Sequence, residues 1–357
     1  MVEQYRKVLE RARLAKFEIL TTWHNFQLKK DPFLSPISPG DTEYFVNREK
    51  LIEDIIFQVG VAGRGIPTTI LLVGPMGSGR SALICQVHNI LKKIKAESPD
   101  EYMLKGELLS TDYLFNTENE NEDEKIEAQP WLRYSNEKWN YIFIDDAGEN
   151  HIKTISREFK KTDLILYVIS PFSYQKIINA MPFKPKTIFM SEISVEDSIK
   201  MLDKRLELAS ISGKVSVKNL FNDDALRLIW KYCMGIPLLI LKTASKSLEM
   251  LMDFKNDKVT EDIATMACKA TKCYNLENSL KDQPRAKLEV LENVLIGRTP
   301  TELSSILQKD RTTVSRQLND LKKDDLVEAN PRGRETVYKA TDPARIALEL
   351  RAMPEVP

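Results

Sequence analysis

The sequence predicts an α/β domain built on a parallel sheet, followed by an all-helical region and a small C-terminal domain. The chain has 357 residues, enough for roughly two to three domains of about 150 residues each. Short apolar and β-branched runs alternate with segments of helical periodicity, which is typical of a buried parallel sheet. The strand candidates are residues 68–73, 141–144, 164–169 and 187–190. Helical periodicity then dominates residues 194–281, and Gln283-Pro284 marks the start of a further domain.

The composition indicates ordered cores and no global preference for an anionic partner. Lysine plus arginine number 52, as do aspartate plus glutamate, so the formal net charge is zero. This balance argues against a histone-like protein or one that binds membrane surfaces through its net charge, and any nucleic-acid surface must be local. Hydrophobic residues make up 42% of the chain and charged residues 29%, which is typical of a folded protein rather than a disordered one.

Cysteine usage and hydropathy predict a cytoplasmic protein without membrane contact. The four cysteines are too few and too scattered for a disulfide framework, which favours a reducing compartment. Apolar runs such as residues 164–169 reach about a third of the length that a bilayer crossing needs, and the charged N-terminus lacks a signal-peptide pattern. Cys268 and Cys273 have no second pair or nearby histidine, so we do not expect zinc there.

The N-terminal segment, residues 1–30, has the spacing of an amphipathic helix. Its apolar positions recur every three or four residues: Tyr5, Leu9, Ala12, Leu20, Trp23 and Phe26. Three prolines and a glycine in residues 31–40 then end the helix and predict an irregular linker. We expect the helix to pack on the body of the protein. The alternative is that it contacts a protein partner or a second copy of the chain.

Residues 74–81 read Gly-Pro-Met-Gly-Ser-Gly-Arg-Ser and match the phosphate-loop pattern G-x-x-x-x-G-K-[ST], except that arginine replaces lysine. A predicted strand precedes this segment and a predicted helix follows it, as the motif requires. Glycines let backbone N–H groups surround a phosphate, and the helix directs its positive end towards it. The residues expected to bind ATP or ADP are Gly74, Pro75, Met76, Gly77, Ser78, Gly79, Arg80 and Ser81.

A second part of the nucleotide site is expected at residues 141–146, an apolar strand that ends in two carboxylates. In such a Walker B segment Asp145, together with the Ser81 hydroxyl, would hold Mg2+, and Asp146 would orient the attacking water. The alternative is a glycine turn and a carboxylate pair in an unrelated α/β fold. Arginine is a planar fork where lysine is a compact charge, so Arg80 is expected to permit binding while lowering turnover.

The C-terminal region predicts a helix-turn-helix followed by a two-stranded wing. Thr299-Pro-Thr-Glu302 is a capping box that begins one helix, and Asp310 caps the next, residues 311–323. The polar face of that second helix presents Arg311, Thr312, Ser315, Arg316 and Asn319. The predicted wing carries Arg332 and Arg334 at its tip.

Charged residues are distributed unevenly along this region, and the basic excess is concentrated in one helix. Residues 285–357 hold thirteen basic and twelve acidic side chains, whereas residues 309–323 hold five basic and two acidic ones. The predicted helix face and wing tip are therefore basic although the domain is not, which favours contact with double-stranded DNA. The alternative is a winged helix that makes protein contacts.

These motifs together resemble the AAA+ superfamily, and within it the archaeal ORC-type initiators and their relatives, over about residues 31–350. The resemblance implies an α/β P-loop core, a helical lid and a winged helix. It also implies that Arg48 borders the adenine and that Ser170 is sensor 1. Arg157 falls where an arginine acting on a neighbouring subunit's nucleotide would lie, although it also fits a solvated helix face.

The sequence departs from that family at three catalytic positions. Arg80 replaces the Walker A lysine, and Asp146 stands where the family usually has glutamate. Gly235-Ile-Pro237 resembles the sensor 2 segment, but Leu238 follows the proline where an arginine is usual. All three changes favour slow or absent ATP hydrolysis, so the chain is expected to be at most an ATPase with impaired hydrolysis.

The expected organisation is an N-terminal helix (1–30), an AAA+-like core (31–193), a helical lid (194–283) and a winged-helix DNA-binding domain (284–357). The expected function is an ATP-controlled, DNA-binding switch in replication initiation, mobile-element maintenance or a related process. The alternative function is a winged-helix transcription regulator or scaffold whose AAA+-like module does not hydrolyse ATP.

Overall fold

The computed structural model describes residues 23–34, 46, 48–98, 104–110, 138–148, 152, 161–181, 184–190, 192–254, 256–333 and 335–354. The chain divides into two compact units. One, here the core unit, comprises Ile37–Ser191 and Glu349–Pro357, and the other, here the helical unit, comprises Met1–Pro36 and Glu192–Leu348. Most of the predicted N-terminal helix, residues 1–22, lies outside the described part of the chain.

The core unit alternates helices and strands as the sequence predicts. In chain order these are α1 (Glu49–Ala62), β1 (Thr68–Val73), α2 (Arg80–Glu97), β2 (Gly106–Ser110), β3 (Trp139–Asp145), β4 (Thr162–Ile169), α3 (Pro171–Ala180) and β5 (Lys186–Phe189). The sequence pattern misses β2, because Gly-Glu-Leu-Leu-Ser contains no β-branched residue. Gly106 leaves room for the ring of Tyr141, which would lie 2.0 Å from a Cβ at that position.

The five strands form one parallel sheet in the order β2-β3-β4-β1-β5. Val73 at the end of β1 pairs with Ile169 in β4 and with Phe189 in β5. The carboxyl ends of parallel strands meet at one edge of a sheet, so the residues that follow β1, β3 and β4 lie at that edge. This order, with the glycine loop after β1, confirms the predicted α/β fold with a phosphate-loop segment between a strand and a helix.

Apolar side chains cover both faces of the sheet. Along β1, Ile70 and Leu72 pack with α1 and α2, while Leu71 and Val73 pack in a second cluster that includes Ile177 of α3. Successive residues of a strand point to opposite faces, so a strand covered on both sides is apolar throughout. The uninterrupted apolar runs in the sequence therefore correspond to strands buried on both sides.

The helical unit contains the predicted helices and the C-terminal hairpin. Its elements are α4 (Val195–Ala209), α5 (Val217–Leu220), α6 (Asp223–Tyr232), α7 (Pro237–Phe254), α8 (Glu261–Ala270), α9 (Leu276–Lys281), α10 (Arg285–Asn293), α11 (Pro300–Leu307), α12 (Arg311–Lys323), β6 (Val327–Arg332), β7 (Glu335–Ala340) and α13 (Asp342–Arg351), whose last turn belongs to the core unit. From α10 to β7, three helices are followed by a hairpin, which is the element order that the sequence prediction of a winged helix requires.

Local capping chemistry begins the two helices that precede the wing. Thr299 Oγ1 accepts a hydrogen bond from the backbone N–H of Glu302 at 3.3 Å, and the Glu302 carboxylate accepts one from the backbone N–H of Thr299 at 2.7 Å. Asp310 accepts from the backbone N–H groups of Thr312 and Thr313 at 2.9 and 3.1 Å. Both caps were expected from the sequence, because each uses residues within three positions of its helix end.

In the described part of the chain, none of the helices combines the length and the apolar character needed to cross a membrane.

A buried histidine of α2 contacts the sheet. His88 is 5% exposed, and its Nδ1 is 3.1 Å from the hydroxyl oxygen of Tyr141. Burial, with a smaller contribution from the charge of Lys92, lowers the pKa of His88 to about 4. The imidazole is therefore neutral in the folded protein at pH values where a solvated histidine takes up a proton.

We expect His88 to make stability depend on pH between about 6.5 and about 4. In that range the unfolded chain binds the proton and the folded chain does not, so stability falls as the pH falls. Thermal unfolding of wild type and of His88→Gln across this range measures the effect, and the variant should show a shallower dependence. His24→Gln is the matched control, because His24 is exposed. Equal slopes for His88→Gln and wild type would contradict this assignment.

Candidate nucleotide site and DNA surface

The loop between β1 and α2 has the backbone of a phosphate cradle. Gly77 and Gly79 have φ angles of +77° and +94°, a left-handed region that glycine enters readily. A Cβ at Gly74 would lie 2.8 Å from the carbonyl oxygen of Met190, so this position accepts only glycine without movement of the backbone. The three glycines of the sequence motif are each required by the conformation.

The side chains and the helix at this loop fit a phosphate group. Ser78 is 1% exposed, and its hydroxyl has no hydrogen-bond partner within the described residues. The loop leads directly into α2, whose first residue is Arg80, so the N-terminus of an 18-residue helix follows the cradle. Unpaired N–H groups at a helix N-terminus attract anions. An orphaned hydroxyl, a glycine cradle and a helix N-terminus together suit ATP or ADP.

Arg80 is held by the sheet. Its guanidinium donates a hydrogen bond to the carbonyl oxygen of Ile169, the last residue of β4. A Walker A lysine acts by reaching the β- and γ-phosphates as a compact charge. The position occupied by lysine in the standard motif thus carries a side chain that contacts the end of a neighbouring strand.

The two carboxylates after β3 are in different environments. Asp145 is partly buried, and its Oδ1 accepts a hydrogen bond from the backbone N–H of Asp146 at 3.1 Å. Asp146 is exposed and has a left-handed φ of +56°. Burial raises the pKa of the Cys85 thiol, and the charge of Asp145 raises it further. The charge of Asp145 therefore acts on a residue of α2, the helix that follows the phosphate loop.

The donors expected for Mg2+ are oxygens, as this ion prefers. Ser81 is the second residue of α2 and its side chain is exposed, while the charge of Asp145 acts on Cys85 of the same helix. No cluster of three or more histidine, cysteine or carboxylate side chains suited to a metal occurs among the described residues. Ser81 and Asp145 each carry an oxygen that could coordinate a magnesium ion bound at this loop.

Ser170 lies where sensor 1 was expected, directly after β4, and is the N-terminal cap position of α3. Its hydroxyl donates to the carboxylate of Glu349 at 3.2 Å, and the backbone N–H of Met76 donates to the other oxygen of that carboxylate at 2.5 Å. Sequence reasoning missed Glu349 because it is 273 positions from Met76, and no local pattern marks it.

Of the other residues that the sequence links to the nucleotide site, the structure describes Arg48, Gly235 and Leu238. Arg48 is partly buried and precedes α1 with a φ of +148°, and its backbone N–H donates to Glu49 at 3.1 Å. Arg157 lies outside the described residues. Gly235, with a φ of +62°, permits the turn into α7, because a Cβ there would lie 2.6 Å from the Cβ of Glu192. Leu238 is partly buried in the first turn of α7.

The predicted DNA-contacting side chains of α12 lie in one open groove. Its lining comprises Arg311, Thr312, Ser315, Arg316, Asn319, Asp320 and Lys323, which includes all five residues predicted on this helix. Val314, Leu318 and Leu321 on the opposite face are fully buried. The helical period that buries one face thus gathers the polar side chains on the other.

Three side chains of this groove have hydrogen-bond or ion-pair partners within the protein. Asp320, which the sequence prediction omitted, pairs with Lys287 of α10 at 3.1 Å, so its charge is partly balanced. The hydroxyl of Thr312 donates to Asp310, and the side-chain oxygen of Asn319 accepts from the Tyr338 hydroxyl at 3.3 Å. Arg316 is exposed, which leaves its guanidinium accessible to a ligand in the groove.

The wing is the antiparallel hairpin of β6 and β7. Arg332 and Glu335 face each other at its end, and Gly333 makes the turn with a φ of +63°. The Arg332 side chain is exposed, and Arg334 lies outside the described residues. One of the two predicted wing-tip arginines is thus placed at the tip, opposite an acidic residue.

No family model matches the chain. An uncharacterized HTH-type transcriptional regulator of Methanocaldococcus jannaschii is 21% identical, in an alignment that covers 92% of this chain and 95% of that protein. Among solved structures, Drosophila ORC bound to DNA has 12% identity and a TM-score of 0.49, covering 90% of each chain. The Aeropyrum pernix ORC1 protein in complex with DNA has 14% identity and a TM-score of 0.48, covering 86% of this chain and 92% of that one. The Aeropyrum pernix ORC2 protein in ADPNP-ADP complexes has 12% identity and a TM-score of 0.49, covering 87% and 98%.

Proposed function

We propose that this chain is an AAA+-like, nucleotide-binding and DNA-binding protein that hydrolyses ATP slowly or not at all. It would act as an ATP-controlled switch in replication initiation, mobile-element maintenance or a related DNA process. The proposal includes a cytoplasmic location, double-stranded DNA as the partner, and self-association or a protein partner for the N-terminal segment. The domain limits predicted from the sequence are part of the same proposal.

The observation that carries the nucleotide part is the conformation of the glycine loop. Its left-handed glycines, the orphaned hydroxyl of Ser78 and the N-terminus of α2 meet at one edge of a parallel sheet. Ligands of open α/β sheets bind at that edge. When bound, Mg-ATP would supply the anion that this cradle suits, with Ser81 and Asp145 as the proposed metal ligands.

Three residues support weak or absent hydrolysis. Arg80 contacts the carbonyl of Ile169 at the end of β4, and its planar guanidinium differs from the compact charge of lysine. Asp146 is one methylene shorter than the glutamate usual for a catalytic base. Leu238 supplies no charge at the position resembling sensor 2. Because each change alters or removes a group that acts on the transferring phosphate or the attacking water, binding and hydrolysis are separable here.

The DNA part rests on the groove of α12. Exposed arginine and short polar side chains line it, and an arginine marks the wing tip. Such side chains hydrogen bond to base edges and phosphates when a helix enters the major groove. The DNA-bound ORC structures and the HTH-type name of the 21% identical relative agree with this part of the proposal.

A second candidate function is a winged-helix transcription regulator or scaffold whose core is a protein-interaction module. The contact between Arg80 and the Ile169 carbonyl favours it, since a residue committed to the sheet is less available to a nucleotide. The relative named as a transcriptional regulator agrees with this candidate as well.

Thermal unfolding with and without Mg-ATP separates the two functions. A ligand at a hundred times its dissociation constant adds about 2.7 kcal/mol to the free energy of unfolding. We expect an upward shift of several degrees in the unfolding midpoint with Mg-ATP and none with Mg2+ alone. A midpoint that does not move at millimolar nucleotide would overturn the nucleotide part and favour the regulator or scaffold.

A further inference from the structure

Glu349 is a charged residue with no exposed surface. It lies in the last part of α13, and the chain from Glu349 onwards belongs to the core unit. Its relative exposure is 0%. Burial of a carboxylate is unfavourable unless hydrogen bonds replace its water, so its position requires specific partners. No role assigned above to the nucleotide or the DNA site uses this residue.

Two partners of this carboxylate are groups of the candidate nucleotide site. One oxygen accepts a hydrogen bond from the backbone N–H of Met76, inside the glycine loop, at 2.5 Å. The other oxygen accepts from the hydroxyl of Ser170, at the sensor 1 position, at 3.2 Å. A single side chain thus engages two elements that the sequence motif assigns to a nucleotide.

The chemistry of these contacts is that of a phosphate. Backbone N–H groups of a phosphate loop donate to anionic oxygens, and an ionised carboxylate is likewise an anion that only accepts hydrogen bonds. Charge-assisted hydrogen bonds of this kind are short and strong. Arg80 reaches the carbonyl of Ile169, the residue immediately before Ser170, so a positive charge lies near the same strand end.

We propose that Glu349 is an internal substitute for a nucleotide phosphate, held in the loop until a nucleotide displaces it. This proposal rests on the nucleotide binding proposed above. A phosphate oxygen and the Glu349 oxygen cannot both take the N–H of Met76. The apparent nucleotide affinity therefore equals the intrinsic affinity multiplied by the fraction of molecules in which the carboxylate has left the loop.

The proposal predicts that removal of the carboxylate charge strengthens nucleotide binding. Glu349→Gln keeps the size of the side chain, and Glu349→Ala removes the contact altogether. We expect both variants to lower the dissociation constant for Mg-ATP by about tenfold or more. A tenfold change corresponds to a wild type in which the carboxylate occupies the loop in about nine molecules in ten.

Titration calorimetry with Mg-ATP measures this on the full-length chain, with thermal unfolding of each nucleotide-free variant as the check on folding. Glu292→Gln is the matched control, because it removes one negative charge from an exposed position. The control should bind like wild type, which separates displacement of Glu349 from a general change in charge.

The outcomes distinguish this proposal from the proposed function. If wild type, Glu349→Gln and Glu292→Gln bind Mg-ATP equally, Glu349 is a structural brace, and nucleotide binding stands without it. If no variant binds nucleotide at millimolar concentration, both proposals are wrong. Tighter binding by the Glu349 variants alone supports both.

Hydrogen exchange on wild type tests the proposal without any variant. On addition of Mg-ATP, we expect exchange to slow in the peptide that contains the glycine loop and to quicken in residues 349–354 as the carboxylate leaves. Slower exchange in the loop with no change in residues 349–354 would overturn the displacement of Glu349 while leaving nucleotide binding intact.

Discussion

Replacement of Gly79 by valine is expected to abolish Mg-ATP binding. Gly79 has a φ of +94°, and a β-branched residue there carries a backbone strain of about 1–3 kcal/mol. The loop is expected to relieve that strain by turning its N–H groups away from the phosphate. Calorimetry should show the affinity for Mg-ATP falling by about a hundredfold or more relative to wild type.

Gly65 provides a control that matches the strain and leaves the site alone. Its φ is +95°, within one degree of that of Gly79, and no atom lies within 4 Å of a Cβ built there. Gly65→Val should therefore lower the unfolding midpoint about as much as Gly79→Val while binding Mg-ATP like wild type. Equal nucleotide binding by Gly79→Val and wild type would show that the glycine loop is not the nucleotide site.

Replacement of Arg316 by alanine is expected to weaken binding to a preferred DNA site much more than to scrambled DNA. Arg316 is exposed and lines the groove of α12, where an arginine can hydrogen bond to a guanine edge. Loss of such a contact costs about 1–3 kcal/mol on the preferred site. Fluorescence anisotropy with preferred and scrambled duplexes, titrated with salt, measures the difference.

Arg332→Ala should behave in another way, because a wing-tip arginine contacts phosphates. Binding should weaken alike on both duplexes, and the slope of log affinity against log salt should fall by about 0.9 for one lost contact. Arg227→Ala is the control, since Arg227 is an exposed arginine of α6, outside the winged helix. Equal losses on both duplexes for Arg316→Ala would make Arg316 a phosphate contact. Absence of DNA binding by wild type at about 50 mM salt would contradict the DNA proposal altogether.

The parts of the candidate sites that the sequence predicts are those built from neighbouring residues. The glycine loop, residues 74–79, joins a strand directly to a helix, and its conformation depends on where glycine allows a positive φ. The polar face of α12 follows from the helical period, with Val314 and Leu318 defining the opposite, buried side. Each of these inferences depends only on residues that lie close together in the sequence, within one loop or one helix.

Contacts between distant segments of the chain could not be predicted from the sequence patterns. Strand β2 is short and lies at the edge of the sheet, where Gly106 makes room for the ring of Tyr141 from the neighbouring strand. The pairing of Asp320 with Lys287 likewise joins two helices of the helical unit. Neither contact leaves a periodic signal, because periodicity records only which face of one element is buried.

By itself, the sequence determined the order of the helices and strands other than β2, the glycine loop, the carboxylates after β3 and the basic face of α12. Propensity, capping and hydrophobic period act within single elements, and those features depend on nothing else. Only the tertiary structure decided the strand order, the commitment of Arg80 to the Ile169 carbonyl and the hydrogen bond between Met76 and Glu349. These depend on which distant segments meet in space, and hydrogen-bond donors from two other elements offset the cost of burying the Glu349 carboxylate.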